Sequence, residues 1–200
     1  MALQIVKHVQ MKTMSCKYDE VDIRIMKSLS EDCRKSTTQV AKEAGISRPT
    51  AIARIKELVS NQLLDFGAKV NVTRLGFKLA KVDLKTEGPK ADEQIIQRLN
   101  TCPRTLQLVQ ITGTSEYTAL VCAEDSDTLL STIDCLKSVL DAKITSWQRI
   151  KPVLGESFNL KIFLEKCDLT PCGKKCGICP NYKESACIGC PATREYKGKL

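Results

Sequence analysis

Residues 36–60 read STTQVAKEAGISRPTAIARIKELVS, and this stretch carries the start and stop signals of two short helices. The Ser36 hydroxyl can accept from the amide three residues on while Gln39 reaches back, which is the capping-box pattern at a helix start. Gly45 supplies the positive φ that ends this helix, and Ser47 can cap a new helix only two residues later. Two helices joined by so tight a turn must cross steeply. The stretch therefore predicts a helix-turn-helix.

The second of these helices is predicted to run to about Ser60, with an outer face near its start that is basic and small. An amphipathic helix over residues 18–29 would complete a three-helix unit. In such units the start of the last helix enters the major groove, where arginine reaches phosphates and guanine edges. We therefore predict binding to double-stranded DNA, and a purely structural helical module is the alternative. The candidate DNA-contacting residues are Ser36, Ser47, Arg48, Pro49, Thr50, Ala53, Arg54 and Lys56.

From about residue 66 the apolar pattern changes from helical spacing to alternation, which indicates strands. The predicted elements are strands over 79–86, 106–111, 117–123 and 144–153, with helices over 91–100 and 127–140. This order is the split βαβ arrangement of ferredoxin-like domains, an antiparallel sheet with both helices on one face. Because the other face of the sheet needs a cover, the sequence predicts a homodimer that forms through this domain.

The composition excludes several classes of protein. With 200 residues, 42% of them hydrophobic and 27% charged, the chain is typical of a soluble globular protein. It has neither an apolar run of roughly 18 residues nor a secretory pattern at its start, so we expect a cytoplasmic protein with no membrane partner. The single histidine, His8, makes most acid–base hydrolase mechanisms poor candidates. A net charge of +8, concentrated toward the two ends, fits contact with a polyanion.

Eleven cysteines are present, and five of them fall between residues 172 and 190. Two C-x2-C pairs in this segment would each turn two thiolates toward one metal, which satisfies tetrahedral zinc. The first three cysteines also form a C-x3-C-x2-C run that can hold three corners of a 4Fe-4S cluster. Zinc is favoured, and the cluster stays open as the alternative. The predicted metal ligands are Cys172, Cys176, Cys179, Cys187 and Cys190.

Taken together, the helix-turn-helix and the ferredoxin-like pattern resemble the Lrp/AsnC (feast/famine) family of transcriptional regulators over roughly residues 18–155. The residues that carry the resemblance are Asp19, Asp22, Ile25, Met26, Leu29, Asp32, Arg34, Ser36, Ala41, Gly45, Ile46, Ser47, Thr50, Arg54, Ile55, Lys56, Leu58, Leu75, Gly76, Thr112 and Gly113. The resemblance implies a dimer, or an octamer built from dimers, that binds pseudo-palindromic DNA sites. It also implies that an amino-acid effector binds between subunits beside the Thr-Gly turn. The candidate effector-binding residues are Thr112, Gly113, Thr114, Ser115 and Glu116.

Two positions depart from the family pattern. Cys33 stands where the family usually has glycine, and Glu116 stands where a shorter aspartate is typical. The extra methylene of Glu116 alters the reach of a carboxylate that would meet an amino-acid ammonium group. An exposed turn acid without an effector is therefore the alternative interpretation of Glu116.

The predicted fold class is α+β, in five segments. They are an N-terminal extension over 1–17, a winged-type helix-turn-helix domain over 18–65, a linker strand over 66–78, a ferredoxin-like RAM-type dimerisation and effector domain over 79–165, and a Cys-rich metal-binding tail over 166–200. The tail needs a metal as a staple because it has almost no aliphatic core of its own, and cysteines without metal in a disordered tail are the alternative.

The predicted function is sequence-specific transcriptional regulation by a protein that is not an enzyme, with a structural or redox-sensing metal site. One alternative is an enzyme on the same scaffold, since haem-precursor decarboxylases look like members of this family. Such an enzyme would need a pocket of histidine and arginine, and the chain has no histidine after residue 8. Another alternative is a constitutive DNA-binding protein whose Cys-rich tail docks a second protein.

Overall fold

The computed structural model describes residues 17–86, 89–111, 116–140, 142–152, 155 and 157–199. The chain divides into two compact units between Gly67 and Ala68. In the part of the chain that the structure describes, the first unit is helical and the second contains all the strands. None of the helices described is long and apolar enough to cross a membrane.

The first unit consists of α1 (Glu20–Glu31), α2 (Thr37–Ala44) and α3 (Arg48–Ser60). The bounds of α2 and α3 are those predicted, because local caps set both. The Ser36 hydroxyl accepts from the Gln39 amide at 3.3 Å, and Gly45 ends α2 at a φ of 71°. α1 begins two residues later than predicted, because the Asp19 side chain caps it.

The three helices share one apolar core. Its buried members are Ile25, Leu29, Val40, Ala44 and Leu58. Residues 17–67 contain no strand, so the wing that was predicted for this unit is not present among them. The predicted linker strand over 66–78 is also shortened to β1 (Val70–Asn71), after which the chain turns and Gly76 adopts a φ of 83°. β1 pairs with β6 (Ser157–Phe158) and so belongs to the second unit.

A four-stranded antiparallel sheet forms the centre of the second unit. Its elements in chain order are β2 (Lys78–Thr86), α4 (Pro89–Thr101), β3 (Thr105–Gln110), β4 (Glu116–Ala123), α5 (Ser126–Val139) and β5 (Ala142–Ile150). The strands lie in the order β3, β4, β2, β5. Ile95 and Leu99 of α4 and Leu129 and Ile133 of α5 pack on the same face of this sheet. This arrangement confirms the predicted ferredoxin-like domain.

The opposite face of the sheet is mixed in character. At one end it is covered by the chain itself, through Val72 and Phe158. Near the middle, Asp83 accepts hydrogen bonds from neighbouring side chains. Along the β3 edge, Val109 and Ile111 are 47% and 46% exposed. Apolar surface is therefore left uncovered at this edge rather than over the whole face.

The tail belongs to the same compact unit as the ferredoxin-like domain. Its chain is mostly irregular, with a 3-10 turn at Cys176–Ile178 and the short helix α6 (Pro180–Lys183). The Cys167 amide donates to the Ala192 carbonyl at 2.9 Å, which holds the two ends of the tail together. The predicted boundary at residue 166 thus marks a change in amino-acid composition. In the structure the residues before and after it belong to the same compact unit.

Candidate nucleic-acid interface and cysteine cavity

The start of α3 is an exposed surface that carries most of the predicted DNA-contacting residues. Its exposed positions are Ser47, Arg48, Pro49, Thr50, Ala53 and Lys56. The Ser47 hydroxyl accepts from the Thr50 amide at 3.3 Å and so caps the helix. The two hydroxyl oxygens of this pair lie 2.7 Å apart. Ser36 is exposed at the equivalent cap of α2. Arg48 follows the cap directly, so its cationic side chain stands at the helix start, where phosphates and base edges are read.

Arg54 does not point away from the protein as we predicted. Its guanidinium forms ion pairs with Asp19 at 3.0 Å and with the buried Asp22 at 3.1 Å, both from the start of α1. The Asp22 amide and the Arg54 guanidinium together hold the pKa of the Asp19 carboxyl below its ordinary value. The capping box of α1 positions these carboxylates, so Arg54 joins α3 to α1. Arg54 is therefore a brace within the unit, and its contact with DNA stays a prediction.

The first unit matches a known domain, since residues 19–59 fit the model of the AsnC-type helix-turn-helix domain. Over 127 residues, 63% of this chain, the sequence is 30% identical to the HTH-type transcriptional regulator Ptr1 of Methanocaldococcus jannaschii and covers 81% of that relative. The chain belongs to the Lrp/AsnC family of transcriptional regulators. The family is one of DNA-binding regulators, and the name of this relative, a transcriptional regulator, favours that function over an enzyme on the same scaffold.

Solved structures share the Lrp/AsnC fold with this chain. The leucine response regulatory protein LrpA of Mycobacterium tuberculosis superposes with a TM-score of 0.63 at 18% identity, over 70% of this chain and 97% of that one. The regulator NMB0573 of Neisseria meningitidis, in complex with L-Met, superposes with a TM-score of 0.55 at 16% identity, over 72% of this chain and 97% of that one. At these identities the likeness establishes the fold.

The predicted effector turn lies mostly outside the described residues, which omit Thr112, Gly113, Thr114 and Ser115. Glu116 is described and is the first residue of β4, where it is half-buried. The Lys85 ammonium lies 3.9 Å from the Glu116 carboxylate. This cation satisfies part of the charge of the Glu116 carboxylate.

The five predicted metal ligands of this Lrp/AsnC chain, together with Cys102 and Cys135 of the ferredoxin-like domain, line one cavity of about 210 Å³. The cavity lies where the tail packs against α5 and the end of α4. Among the described residues, no three cysteine, histidine or acidic side chains are placed to hold one metal ion. The structure therefore brings the predicted ligands around a shared space without drawing them onto a single point.

Cys172 differs from the other four tail cysteines because one of its partners is a thiol of the ferredoxin-like domain, Cys135. The Cys172 sulfur lies 3.1 Å from the Thr170 hydroxyl. The Cys135 thiol hydrogen-bonds to the Cys172 sulfur, which lowers the pKa of Cys172 and raises the pKa of Cys135. The contact of Cys135 with the tail was not predicted from the sequence.

Arg104 is the charged residue at the cavity that sequence reasoning did not single out. It is only 6% exposed, and its guanidinium pairs with Glu124 at 2.9 Å. The same guanidinium donates to the Gly189 carbonyl at 2.7 Å and lies 3.9 Å from the Cys187 sulfur. A buried cation is costly unless it is paired, so Arg104 ties the sheet to the loop between the last two cysteines.

Helix α5 holds the tail through a row of hydroxyl and thiol side chains. The Ser131 hydroxyl donates to the Ala186 carbonyl at 2.7 Å, and the Thr128 hydroxyl accepts from the Ile188 amide at 3.4 Å. The Lys174 ammonium contacts the Ser138 hydroxyl farther along the helix. The signal in the sequence was a polar row at positions 128, 131, 132, 135 and 138, opposite the leucine face of α5.

Proposed function

We propose that this chain acts as a homodimeric DNA-binding regulator that reads its sites with the start of α3 and carries a thiolate metal site in its tail. The observation that carries the DNA part is the exposed, capped helix start with Arg48 on it. This position suits base or phosphate contact because the cationic side chain of Arg48 is exposed at the helix start. Arg54 contributes indirectly, by fixing the angle between α3 and α1.

The experiment compares Arg48→Ala with Arg149→Ala in the full chain. The duplex is first selected from a random pool with the unmodified protein, and binding is then followed by fluorescence anisotropy at several salt concentrations. Arg48→Ala should weaken binding by about 1–3 kcal/mol and make the salt dependence shallower by about one unit of slope. Arg149 is exposed on β5 in the second unit, so Arg149→Ala removes the same charge from a different part of the chain. Equal affinities and slopes for the two variants would contradict the assignment of Arg48.

Dimerisation is proposed through the face of the sheet that the helices leave open. Support comes from the exposed Val109 and Ile111 at the β3 edge and from both helices lying on the other side. A two-fold axis there would let each subunit cover the same patch of its partner, and dimers could assemble further into an octamer.

An amino-acid-like effector is proposed beside the turn at residues 112–116. The structural neighbour in complex with L-Met supports the idea for this fold, and Glu116 at the start of β4 offers a carboxylate for an ammonium group. Titration calorimetry of the full chain with L-Met and the other standard amino acids tests this proposal. We expect one of these amino acids to bind and Glu116→Gln to weaken that binding. If no amino acid gives a heat of binding, the effector proposal is wrong, and the assignment of the DNA-binding surface is unaffected.

The tail cysteines are proposed to bind a metal that is structural or redox-sensing. Their convergence on one cavity supports this, because five scattered thiols of a disordered tail would not share a lining. Metal binding would supply folding energy to a segment with little aliphatic core. Removing the metal with a chelator should therefore loosen the tail, while the sheet and the first unit stay folded.

A further inference from the structure

We infer that the cysteine cavity takes a 4Fe-4S cluster held by Cys176, Cys179, Cys187 and Cys190, with Cys172 outside the ligand set. The inference rests on the proposed metal-binding tail and specifies its metal and its ligands. It is carried by three observations, which are the size of the cavity, the separate partners of Cys172 and the buried cation beside the Cys187 sulfur.

The size of the cavity favours a cluster over a single metal ion. A zinc ion bonded to four sulfurs at about 2.3 Å is enclosed by those sulfurs and leaves no space among them. The thiols here line a cavity of about 210 Å³ together with other side chains, so there is room for a group larger than one ion beside them. A cubane of iron and sulfide bonds each thiolate to a different iron, so its ligands stand around a volume and need not meet at one point.

The partners of each cysteine select the four ligands. Cys172 is occupied by Cys135 and by the Thr170 hydroxyl, which turn it toward α5. The Cys176 sulfur instead lies 3.6 Å from the Thr193 hydroxyl, which also donates to the Cys190 carbonyl at 3.0 Å. The remaining ligand, Cys179, is joined to Cys176 by a backbone hydrogen bond of 2.9 Å across the 3-10 turn. Both C-x2-C pairs line the cavity.

Arg104 supplies the charge that such a group requires. Four thiolates and a cluster carry a net negative charge, and a buried anion of this kind needs a cation or N–H donors beside it. The Arg104 guanidinium lies 3.9 Å from the Cys187 sulfur, and its buried Nε finds no hydrogen-bond partner among the described residues. The Thr193 hydroxyl lies 3.6 Å from the Cys176 sulfur on the other side. Hydrogen bonds to ligating sulfurs are one of the means by which proteins tune iron–sulfur clusters.

The loop geometry around Gly189 keeps these contacts fixed. Gly189 adopts a φ of 90°, and a side chain there would meet the Glu195 carbonyl oxygen at 2.8 Å. Only glycine fits this close approach, and its carbonyl is the acceptor for Arg104. A cluster bound at Cys187 and Cys190 would therefore hold the tail against Arg104 and α5 at the same time.

The test uses the full chain purified without oxygen and then loaded either with ferrous iron and sulfide or with zinc. Iron and acid-labile sulfide are counted per chain, and the visible absorbance is recorded, since zinc is colourless. We expect about four iron and about four sulfide with the brown absorbance of a cluster. Cys176→Ser and Cys187→Ser should retain less than a quarter of the iron, whereas Cys172→Ser and Cys135→Ser should retain nearly all of it. Circular dichroism and hydrogen exchange in β2 and β4 establish that each variant is folded.

The outcomes separate this inference from the proposed metal site. A chain that takes zinc tightly and stays colourless under iron and sulfide overturns the cluster and keeps the metal-binding tail. Loss of iron in Cys172→Ser at the level of Cys176→Ser overturns the ligand set. A chain that binds neither metal while the tail remains protected from hydrogen exchange overturns both the inference and the metal site.

Discussion

Two arginines of α3, Arg48 and Arg54, were both predicted to contact DNA, and the structure places them in different surroundings. Arg54 finds two carboxylates of α1 within 3.0–3.1 Å, whereas Arg48 follows the cap at the exposed helix start. Spacing along a helix does not reveal a partner that is 32 residues away in the sequence. The difference between them is therefore visible only when the helices are packed.

The variants Arg54→Ala and Arg48→Ala should separate stability from recognition. Arg54→Ala leaves the buried Asp22 carboxylate without its cation, so the melting temperature of the first unit should fall by a few degrees. Arg48→Ala should leave it unchanged. Thermal unfolding followed by circular dichroism, with hydrogen exchange of α1, measures this. Equal melting temperatures for both variants would show that the ion pairs do not stabilise the unit.

The hydrogen bonds of Asp83 predict that this single residue makes the stability of the protein depend on pH. Hydrogen bonds from the Ser146 hydroxyl at 2.6 Å and the Thr118 hydroxyl at 2.8 Å lower the pKa of this carboxyl below its unfolded value. A lowered folded pKa stabilises the protein above the unfolded pKa, and this stability is lost as the pH falls through the folded pKa.

Asp83→Asn should therefore lower the free energy of unfolding at neutral pH by about 1–2 kcal/mol. The difference in this free energy between the variant and the unmodified chain should become smaller in acid. Urea unfolding at pH 7 and at successively lower pH measures the effect. Asp134→Asn is the matched control, because Asp134 is exposed and forms a surface ion pair with Lys137 along its own helix. A gap that stays constant with pH would contradict the role given to the Asp83 charge.

At the scale of elements, α5 works on two faces. Leu129 and Ile133 pack against the sheet, while Thr128 and Ser131 hold the tail through backbone groups of residues 186 and 188. Hydroxyls that are buried in this way stabilise the tail because they satisfy its backbone donors and acceptors. The helix is thus the connection between the ferredoxin-like core and the cysteine segment.

Replacing Thr128 with Val and Ser131 with Ala should loosen the tail without unfolding the sheet. Each change leaves a backbone group of the tail without its partner, at a cost of about 1–3 kcal/mol where the group stays buried. Hydrogen exchange should accelerate over residues 167–197 by an order of magnitude or more and stay slow in β2 and β4. Lys137→Ala, at an exposed position of the same helix that does not line the cavity, should change neither.

The sequence was most informative where structure is decided locally. α2 and α3 begin and end as predicted because their caps lie within three residues of the groups they satisfy. The alternation of apolar and polar residues in β2 and β4 predicted the sheet, because successive side chains of a strand point to opposite faces and this too is a local property. The docking of the tail was missed because Arg104 and the Gly189 carbonyl, which join it to the sheet, are 85 residues apart. Neither the arginine nor the glycine carries a signal in the sequence that identifies its distant partner.

At the scale of the whole molecule, the open face of the sheet is the surface through which we propose that chains assemble. Its middle is made polar by Asp83 and its neighbours, and one end is covered by Val72 and Phe158. The remaining apolar positions, Val109 and Ile111, lie together at the β3 edge. An interface here would therefore combine a small apolar patch with a polar centre, which suits a dimer whose subunits can exchange or rearrange.

Val109→Asp should shift the full chain from dimer to monomer in sedimentation velocity. The substitution places a carboxylate in the middle of the patch, and the two-fold symmetry of a dimer would bring two such charges together without partners. Val59→Asp is the control, since Val59 is 40% exposed but lies on α3 in the first unit. Residues 68–200 alone should also run as a dimer, because the patch lies entirely within the second unit. A truncated chain that is folded and monomeric would place the contacts between subunits in the first unit instead.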